Sequence, residues 1–336
     1  MSSTSTKQMK LNSGYSIPVV GLGTWQSKPD EVKNAVATAL RLGYRHIDAA
    51  ACYNNENEVG EGIKASGVAR SEIFLTGKLW NTHHKPEDVE EHLDLTLADL
   101  QTDYLDLYLI HWPVAFQPSA DPRARVPVDP ETEQIAVIDV PLADTWRAME
   151  ALVAKGKVRT IGVSNFTREH IEALWTTATI KPAVNQIEAH PYLQQPALLK
   201  WCQEHDIVVE AYSPMGNNIY GLPRALDDPV IIDLAKSLNK EPAQVLLSWA
   251  VQRGTVVLTK SVTPSRIQQN LEVFDLPPDI FYKINALDRH SRYNFPKRLG
   301  VNIFGEWTEA ALKDAVEEWK AGERKRKAEA AAAVAK

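Results

Sequence analysis

The sequence predicts an α/β protein in which eight parallel strands close into a barrel and a helix follows each strand. Short apolar strands alternate with helical segments along most of the 336 residues, a pattern that calls for a parallel sheet. The alternation occurs eight times, which favours a closed (β/α)₈ TIM barrel over an open sheet. Three of the strands end in a charged or imidazole side chain, at the edge where such barrels place their chemistry.

Composition limits the kinds of function to consider. With 44% apolar and 24% charged residues, the chain has ordinary globular composition and enough apolar material for a large core. The net charge of −6 gives no support for nucleic-acid binding, which needs a basic face. Two cysteines, Cys52 and Cys202, cannot form a disulfide framework and suit a reducing compartment, so we expect a cytoplasmic location.

No targeting or membrane segment is evident in the sequence. Residues 1–7 are polar and lack the apolar stretch of a signal peptide. No apolar run approaches the roughly 18 residues that a membrane-spanning helix needs, so we expect no membrane association.

The elements follow in a regular order. A small hairpin is predicted at 10–18 around Ser13 and Gly14, and Gly43 ends the first helix. The predicted barrel strands lie at 19–23, 46–48, 73–78, 105–111, 160–164, 184–188, 208–212 and 256–258. The predicted helices lie at 30–42, 56–65, 86–100, 142–155, 168–175, 196–205, 229–238, 242–251 and 264–271.

Two segments fall outside this repeat. The loop at 113–141 is long, proline-rich and acidic, and we interpret it as a lid over the pocket rather than a disordered loop. Beyond Asp288, the chain is interpreted as a carboxyl-terminal arm over the barrel mouth. We therefore assign residues 8–310 to a single barrel domain and 311–336 to a helical or disordered tail.

Four residues are candidates for catalysis. Asp48, Lys78 and His111 end three successive strands, and Tyr53 follows the first of them by five residues. A buried acid at a strand end is costly unless it is paired. A tyrosine, with an ordinary pKa of about 10, needs a neighbouring cation to release its proton. Lys78 would meet both needs. Each residue alone has an ordinary structural explanation, but four at corresponding positions predict a site.

The sequence contains two candidate phosphate sites. Gly60, Gly62 and Ala65 match the dinucleotide pattern G-x-G-x-x-A, but no strand leads directly into it, so we reject it. The segment 260–270 follows the last strand and opens the last helix, where free N–H groups favour an anion. Lys260 and Arg266 add two cations, which would suit a 2′-phosphate. A plain helix cap with surface charges is the alternative.

Together these motifs resemble the aldo-keto reductase family. The resemblance extends from residue 10 to about residue 307 and rests on the segments 43–60, 105–113, 162–166, 185–188 and 260–270. It implies a TIM barrel that binds NADPH without a Rossmann domain. The implied activity is NADP-dependent reduction of small or aromatic aldehydes, including glyceraldehyde and aldoses, to primary alcohols. No metal is expected, since neither cysteine has companions at metal-ligand spacing.

The resemblance also implies a role for each catalytic candidate. Tyr53 would donate a proton to the substrate carbonyl, and Lys78 would lower the pKa of the phenol. Asp48 would pair with Lys78, and His111 would orient the substrate oxygen. The implied substrate pocket consists of Trp25, Trp80, His111, Trp112 and Phe116, although ordinary packing at the rim would also explain the tryptophans.

The implied cofactor site follows the carboxyl ends of the strands. Ser164, Asn165 and Gln186 would hold the nicotinamide carboxamide, and Tyr212 would stack on the ring. The full set of implied cofactor-binding residues is Gly23, Thr24, Trp25, Asp48, Ser164, Asn165, Gln186, Tyr212, Ser213, Met215, Asn217, Lys260, Ser261, Val262, Thr263, Arg266, Gln269 and Asn270.

Some positions depart from the family pattern. Thr259 stands where the family usually has Pro, Gln269 where many members have Glu, and Gly77 where Ser is usual. These departures bear on cofactor affinity more than on the chemistry, and therefore on how strictly NADPH is preferred over NADH.

Finer features suggest a subfamily. The segments 212–218, 292–295 and 302–306 resemble fungal glyceraldehyde reductases and NADP-dependent glycerol dehydrogenases, with xylose or aldose reductase as the alternative. A regulatory NADPH-binding protein like the potassium-channel β subunits is an alternative from another class. A zinc alcohol dehydrogenase would need a Cys/His cluster that the sequence lacks. We expect a small-molecule carbonyl substrate and a monomer or weak dimer.

Overall fold

Eight parallel strands form a closed barrel in the computed structural model, which describes residues 7–28, 30–217 and 221–334. The barrel strands are β3 (Val20–Gly23), β4 (His46–Asp48), β5 (Phe74–Leu79), β6 (Leu107–Ile110), β9 (Ile161–Ser164), β10 (Val184–Glu188), β11 (Val208–Tyr212) and β12 (Val256–Thr259). Each pairs in parallel with the next, and β12 closes the barrel by pairing with β3. The predicted fold is confirmed.

Helices surround the barrel, and two further strand pairs lie outside it. The helices are α1 (Glu31–Arg41), α2 (Glu56–Ser66), α3 (Pro86–Leu100), α4 (Leu142–Ala154), α5 (Arg168–Trp175), α6 (Pro196–Glu204), α7 (Pro229–Ser237), α8 (Pro242–Gln252), α9 (Pro264–Leu271), α10 (Pro278–Asn285) and α11 (Glu309–Val334). The outer strands are β1 (Gln8–Lys10), β2 (Ser16–Pro18), β7 (Ala115–Phe116) and β8 (Val137–Ile138).

The amino-terminal hairpin of β1 and β2 covers one end of the barrel. Leu11 and Ile17 are buried in one apolar cluster with the first residues of several barrel strands, among them Phe74 and Val184. Because this hairpin covers the amino ends of the strands, the opening lies at their carboxyl ends, where the candidate catalytic residues were predicted.

The boundaries differ from the predicted ones in a few places. Strand β5 continues to Leu79, so Lys78 lies within the strand, and β6 ends one residue before His111. Helix α10 was not predicted. Helix α11 begins at Glu309, and its Leu312 is buried in an apolar cluster with the arm. Residues 1–6, Asn218 of the subfamily segment and the last two residues lie outside the described part of the chain.

The long loop after β6 is folded against the rim of the barrel. Strands β7 and β8 pair within it as an antiparallel hairpin. The indole N–H of Trp80 donates to the carbonyl of Arg125 at 2.7 Å. These contacts place the loop beside a residue of the predicted substrate pocket, as expected for a lid.

The carboxyl-terminal arm is fixed by a buried carboxylate at the end of β10. Glu188 accepts the backbone N–H of Tyr293 at 3.0 Å and that of Asn294 at 2.8 Å. The imidazole of His190 contacts the same carboxylate at 3.0 Å. One barrel residue therefore sets where the arm crosses the mouth.

The rejected dinucleotide pattern lies inside α2, as the sequence indicated. A Cβ added at Gly60 would lie 2.6 Å from the carbonyl oxygen of Leu100, and one at Gly62 would lie 2.7 Å from that of Lys33. Both glycines therefore allow close packing of neighbouring helices. Within the described residues, no helix combines the length and apolar character needed to cross a membrane.

We predict that Gly60→Ala destabilises the fold by about 1–3 kcal/mol, the usual cost of overpacking, because the new methyl meets backbone atoms of Leu100. Denaturant unfolding measures this change. The matched control is Gly322→Ala in α11, where an added Cβ meets nothing within 4 Å and should stabilise the helix by about 0.5–1 kcal/mol. Equal effects at the two glycines would contradict the packing explanation.

Candidate active site

A buried lysine joins two of the other three catalytic candidates. Lys78 on β5 is fully buried, and its Nζ donates to Asp48 Oδ1 at 2.6 Å and to the Ala49 carbonyl at 3.0 Å. The third contact of Nζ is Tyr53 Oη at 3.3 Å. The ammonium therefore has three oxygen partners, the number of hydrogen bonds that it can donate.

The backbone after β4 brings Tyr53 back towards the lysine. A 3₁₀ turn at Ala51–Tyr53 follows the strand and ends at Asn54, which has a left-handed φ of 56°. Asparagine tolerates this conformation better than most residues. The ring of His111 lies edge-on to Tyr53, with 5.9 Å between ring centroids. All four predicted catalytic residues thus meet at one end of the barrel.

The phenol of Tyr53 is surrounded by groups that disfavour its ionisation. Burial, followed by the negative charge of Asp48, raises the pKa of Tyr53 well above 10. The implied role of Lys78, which is to lower this pKa through its own hydrogen bond, concerns one contribution among these and stays a prediction. The ring stays protonated at neutral pH, the state that a proton donor needs.

His111 is held as a neutral imidazole. Burial, followed by the charge of Lys78, lowers the pKa of His111 well below 6.5. Its Nδ1 lies 3.6 Å from the thiol of Cys52, and burial raises the pKa of that thiol to about 12. Both groups are therefore uncharged beside Tyr53, and His111 can offer one N–H to a ligand.

These residues open onto a cavity of about 530 Å³ at the carboxyl ends of the strands. Asp48, Tyr53 and His111 line it, as do three of the predicted pocket residues, Trp25, Trp80 and Trp112. Phe116 does not line it. That prediction is wrong, because Phe116 is buried behind Trp80, with 6.0 Å between their rings.

The predicted cofactor residues divide into those that line the cavity and those that do not. The first group comprises Gly23, Trp25, Asp48, Asn165, Gln186, Tyr212, Ser213, Met215, Asn217 and Lys260. Thr24 and Ser164 are buried behind the wall, where their hydroxyls donate to the carbonyls of Asp48 and Gln186. The remaining residues, Ser261, Val262, Thr263, Arg266, Gln269 and Asn270, continue from Lys260 into α9 and do not line the cavity.

Polar groups of the wall are ordered by one another. Asn165 Nδ2 donates to the His111 carbonyl at 3.0 Å, and Tyr212 donates to Asn165 Oδ1 at 2.8 Å. Gln186 Nε2 donates to Asp48 Oδ1 at 2.9 Å. The amides that were predicted to hold a carboxamide are therefore fixed in place by the catalytic residues and their neighbours.

The amides and cations along this edge of the barrel fit the polar groups of a nicotinamide dinucleotide. Ordered amides lie beside the catalytic residues, and further along the barrel edge Lys260 and Arg266 flank the amino end of α9. Neither cation has a hydrogen bond or ion pair with another described residue, so both are free to meet a phosphate. Within the described residues, no group of three or more His, Cys, Asp or Glu could hold a metal ion.

Several cavity residues were not identified from the sequence. Gln26 and Cys52 adjoin predicted residues along the chain, and Arg224 follows the predicted cofactor-binding residues at 212–217. Asn294 and Arg298 belong to the arm, whose position over the mouth was expected without assigning individual side chains. Proximity in sequence could have suggested Cys52, whereas Arg298 carries no local pattern that marks it.

The phenol of Tyr53 is held by a buried ammonium–carboxylate pair and lies at the mouth of a (β/α)₈ barrel, beside a cavity lined with amides. This arrangement is typical of carbonyl oxidoreductases. The sequence profile of the Aldo/keto reductase family matches residues 19–291. The chain belongs to the aldo-keto reductase family, whose members are NADP(H)-dependent oxidoreductases of aldehydes and alcohols.

Individual relatives agree with this assignment. Aldo-keto reductase family 1 member A1 of Homo sapiens is 46% identical over 298 residues, covering 85% of this chain and 90% of that protein. D/L-glyceraldehyde reductase of Hypocrea jecorina is 44% identical over 326 residues, covering 92% and 97%. The structure of the aldose reductase from Schistosoma japonicum aligns with a TM-score of 0.83 and 39% identity, covering 90% of this chain and 100% of that one.

We predict that Asp48→Asn destabilises the protein by about 3–5 kcal/mol, because Lys78 is left as a buried charge without its carboxylate. Denaturant unfolding at neutral pH measures the change. Glu61→Gln, which breaks the exposed pair with Lys33, is the control and should leave stability close to wild type. A similar small effect for both variants would mean that the buried pair does not stabilise the fold.

Proposed function

We propose that this protein reduces small aldehydes such as glyceraldehyde and aldoses to primary alcohols with NADPH as the reductant. The observation that carries the proposal is the contact of Lys78 Nζ with both Asp48 and Tyr53 at the cavity. This arrangement places a proton donor next to a fixed positive charge. The similarity to D/L-glyceraldehyde reductase supports the choice of substrate class.

The mechanism assigns a separate task to each residue. NADPH, when bound, supplies the hydride that reaches the carbonyl carbon. Tyr53 donates its proton to the carbonyl oxygen, and the hydrogen bond from Lys78 stabilises the phenolate that remains. His111, which is neutral, donates an N–H to the same oxygen and orients it. Trp25, Trp80 and Trp112 give the substrate end of the cavity apolar walls.

The segment that opens α9 would bind the adenosine end of the cofactor. Lys260 borders the cavity, and Arg266 lies in the first turns of the helix, where backbone N–H groups also favour anions. Two cations beside one helix amino end support a 2′-phosphate as the ligand. The preference for NADPH over NADH follows from this pair.

Substrate choice within the family rests on the loop and the arm. Xylose or another aldose is the alternative substrate to glyceraldehyde, and alcohol oxidation, as in glycerol dehydrogenases, is the reverse of the same reaction. A panel of glyceraldehyde, xylose and an aromatic aldehyde, followed by NADPH consumption, separates these options. Binding of NADPH without turnover of any of them would favour a regulatory protein.

We further propose that the protein acts in the cytoplasm as a monomer or weak dimer. Its two cysteines are both free, which suits a reducing compartment. Cell fractionation and size-exclusion chromatography test the two parts separately.

We predict that Tyr53→Phe lowers kcat for glyceraldehyde by at least about 10²–10⁴-fold, because the phenylalanine ring has no proton to donate. NADPH binding, measured by tryptophan fluorescence, should be retained. Tyr282→Phe is the control, since Tyr282 is 69% exposed and does not line the cavity. Turnover that survives Tyr53→Phe would refute the assignment of the donor.

We predict that Arg266→Ala weakens NADPH binding by about 10- to 100-fold, the loss expected for hydrogen bonds to a charged group, and leaves NADH binding unchanged. Titrations with both cofactors measure the two dissociation constants. Arg147→Ala, which removes an exposed arginine of α4, should change neither. Equal weakening of NADPH and NADH would show that Arg266 does not contact the 2′-phosphate.

A further inference from the structure

A second buried acid, which the mechanism above does not use, lies inside the barrel next to the catalytic pair. Glu210 on β11 is fully buried. Its Oε2 accepts the Nε2 amide of Gln186 at 2.7 Å, and its Oε1 lies 3.3 Å from Nε2 of His46 on β4. Asp48 binds the same Gln186 amide, so the two acids share one neighbour.

The buried oxygen Oε1 of Glu210 has no donor for a carboxylate to accept. Nδ1 of His46 lies 3.3 Å from the carbonyl oxygen of Pro18, which can only accept, so in a neutral ring Nδ1 carries the hydrogen. Nε2 of His46 then has a lone pair, which accepts the hydroxyl of Thr76 at 3.2 Å. Glu210 Oε1 lies 3.3 Å from the same Nε2 and has no hydrogen-bond partner among the described residues. An ionised Glu210 would therefore leave a buried carboxylate oxygen without a donor.

Burial favours the uncharged form of both Glu210 and His46. Burial lowers the pKa of His46 to about 4. Burial, with the charge of Asp48 second, raises the pKa of Glu210 to about 8. Lys78 is the cation that faces both acids, and Asp48 already holds it at 2.6 Å. If Glu210 is uncharged, the group formed by Lys78, Asp48 and Glu210 contains one ammonium and one carboxylate.

The two acids together fix the side chain of Gln186. Both hydrogens of its amide are donated, one to Asp48 and one to Glu210. Rotating the amide by 180° would turn its oxygen towards the Asp48 carboxylate. The amide oxygen of Gln186 accepts no hydrogen bond from the described residues, and Gln186 lines the cavity.

We propose that Glu210, as an uncharged acid that accepts from the Gln186 amide, is a positioning residue that directs the amide oxygen of Gln186 to the cofactor's carboxamide N–H. The proposal rests on the proposed function, in which Gln186 meets the carboxamide. It assigns to Glu210 a contribution to cofactor selectivity, since only a ligand with an N–H at that position satisfies the oxygen.

The test compares NADP⁺ with its 3-acetylpyridine analogue, in which a methyl group replaces the carboxamide nitrogen. Dissociation constants are measured by tryptophan fluorescence, which needs no turnover. We expect Glu210→Met to reduce the preference for NADP⁺ over the analogue by about fivefold, the equivalent of one ordinary hydrogen bond. Glu210→Gln should keep the preference, because its uncharged amide oxygen can still accept from Gln186.

Two reference variants separate the possible failures. Gln186→Leu should lower the preference at least as much as Glu210→Met does. If Gln186→Leu leaves it unchanged, the proposed cofactor contact itself is wrong and the inference falls with it. If Gln186→Leu lowers the preference and Glu210→Met does not, only the positioning role is overturned. Glu56→Gln, at a buried glutamate outside the cavity wall, is the control for general destabilisation.

The protonation state of Glu210 has its own test in the protein without cofactor. The folded pKa of about 8 lies above the usual value of 4.5, so the folded state retains a proton that the unfolded state loses between these values. Wild-type stability should therefore fall relative to Glu210→Gln as pH rises from 5 to 8. Parallel stability profiles, or a Glu210→Gln variant that loses cofactor preference as Glu210→Met does, would overturn the uncharged acid.

Discussion

The arrangement of the active site depends on one ammonium group that has no access to water. Lys78 can remain charged only if its surroundings replace the solvent, and three oxygens do so, from the carboxylate of Asp48, the backbone of Ala49 and the phenol of Tyr53. These partners come from β4 and the turn that follows it, while the lysine comes from β5. The need to satisfy the ammonium therefore fixes the turn against the neighbouring strand, and catalysis uses the geometry that results.

The buried ammonium of Lys78 also determines how the polar side chains of the barrel interior are arranged around the site. Asp48 binds the lysine and the amide of Gln186, and Gln186 in turn contacts Glu210. A barrel interior offers few ways to place two acids near one base without an unbalanced charge. Keeping one acid protonated resolves the imbalance, and it does so without a second cation. The cost of burying charge thus orders both the proton donor and the cofactor wall.

Sequence patterns predicted the barrel because strand and helix periodicities are local properties. They also placed Asp48, Lys78 and His111 correctly, since the carboxyl ends of parallel strands meet at one edge. Sequence patterns did not predict features that depend on three-dimensional packing. Phe116 lies behind Trp80, and strands β7 and β8 have only two residues each, too few to show a period. The pKa of Tyr53 depends on desolvation, which no local pattern reports.

The hairpin that covers the amino end of the barrel has a practical consequence. It separates the start of the described chain from the cavity by the full depth of the strands, because Leu11 and Ile17 pack beneath the first residues of the barrel. Immobilising the enzyme on a solid support through its amino-terminal segment would therefore orient the entrance of the cavity towards the bulk liquid. An immobilised catalyst made this way would keep diffusion of aldehyde and coenzyme unobstructed.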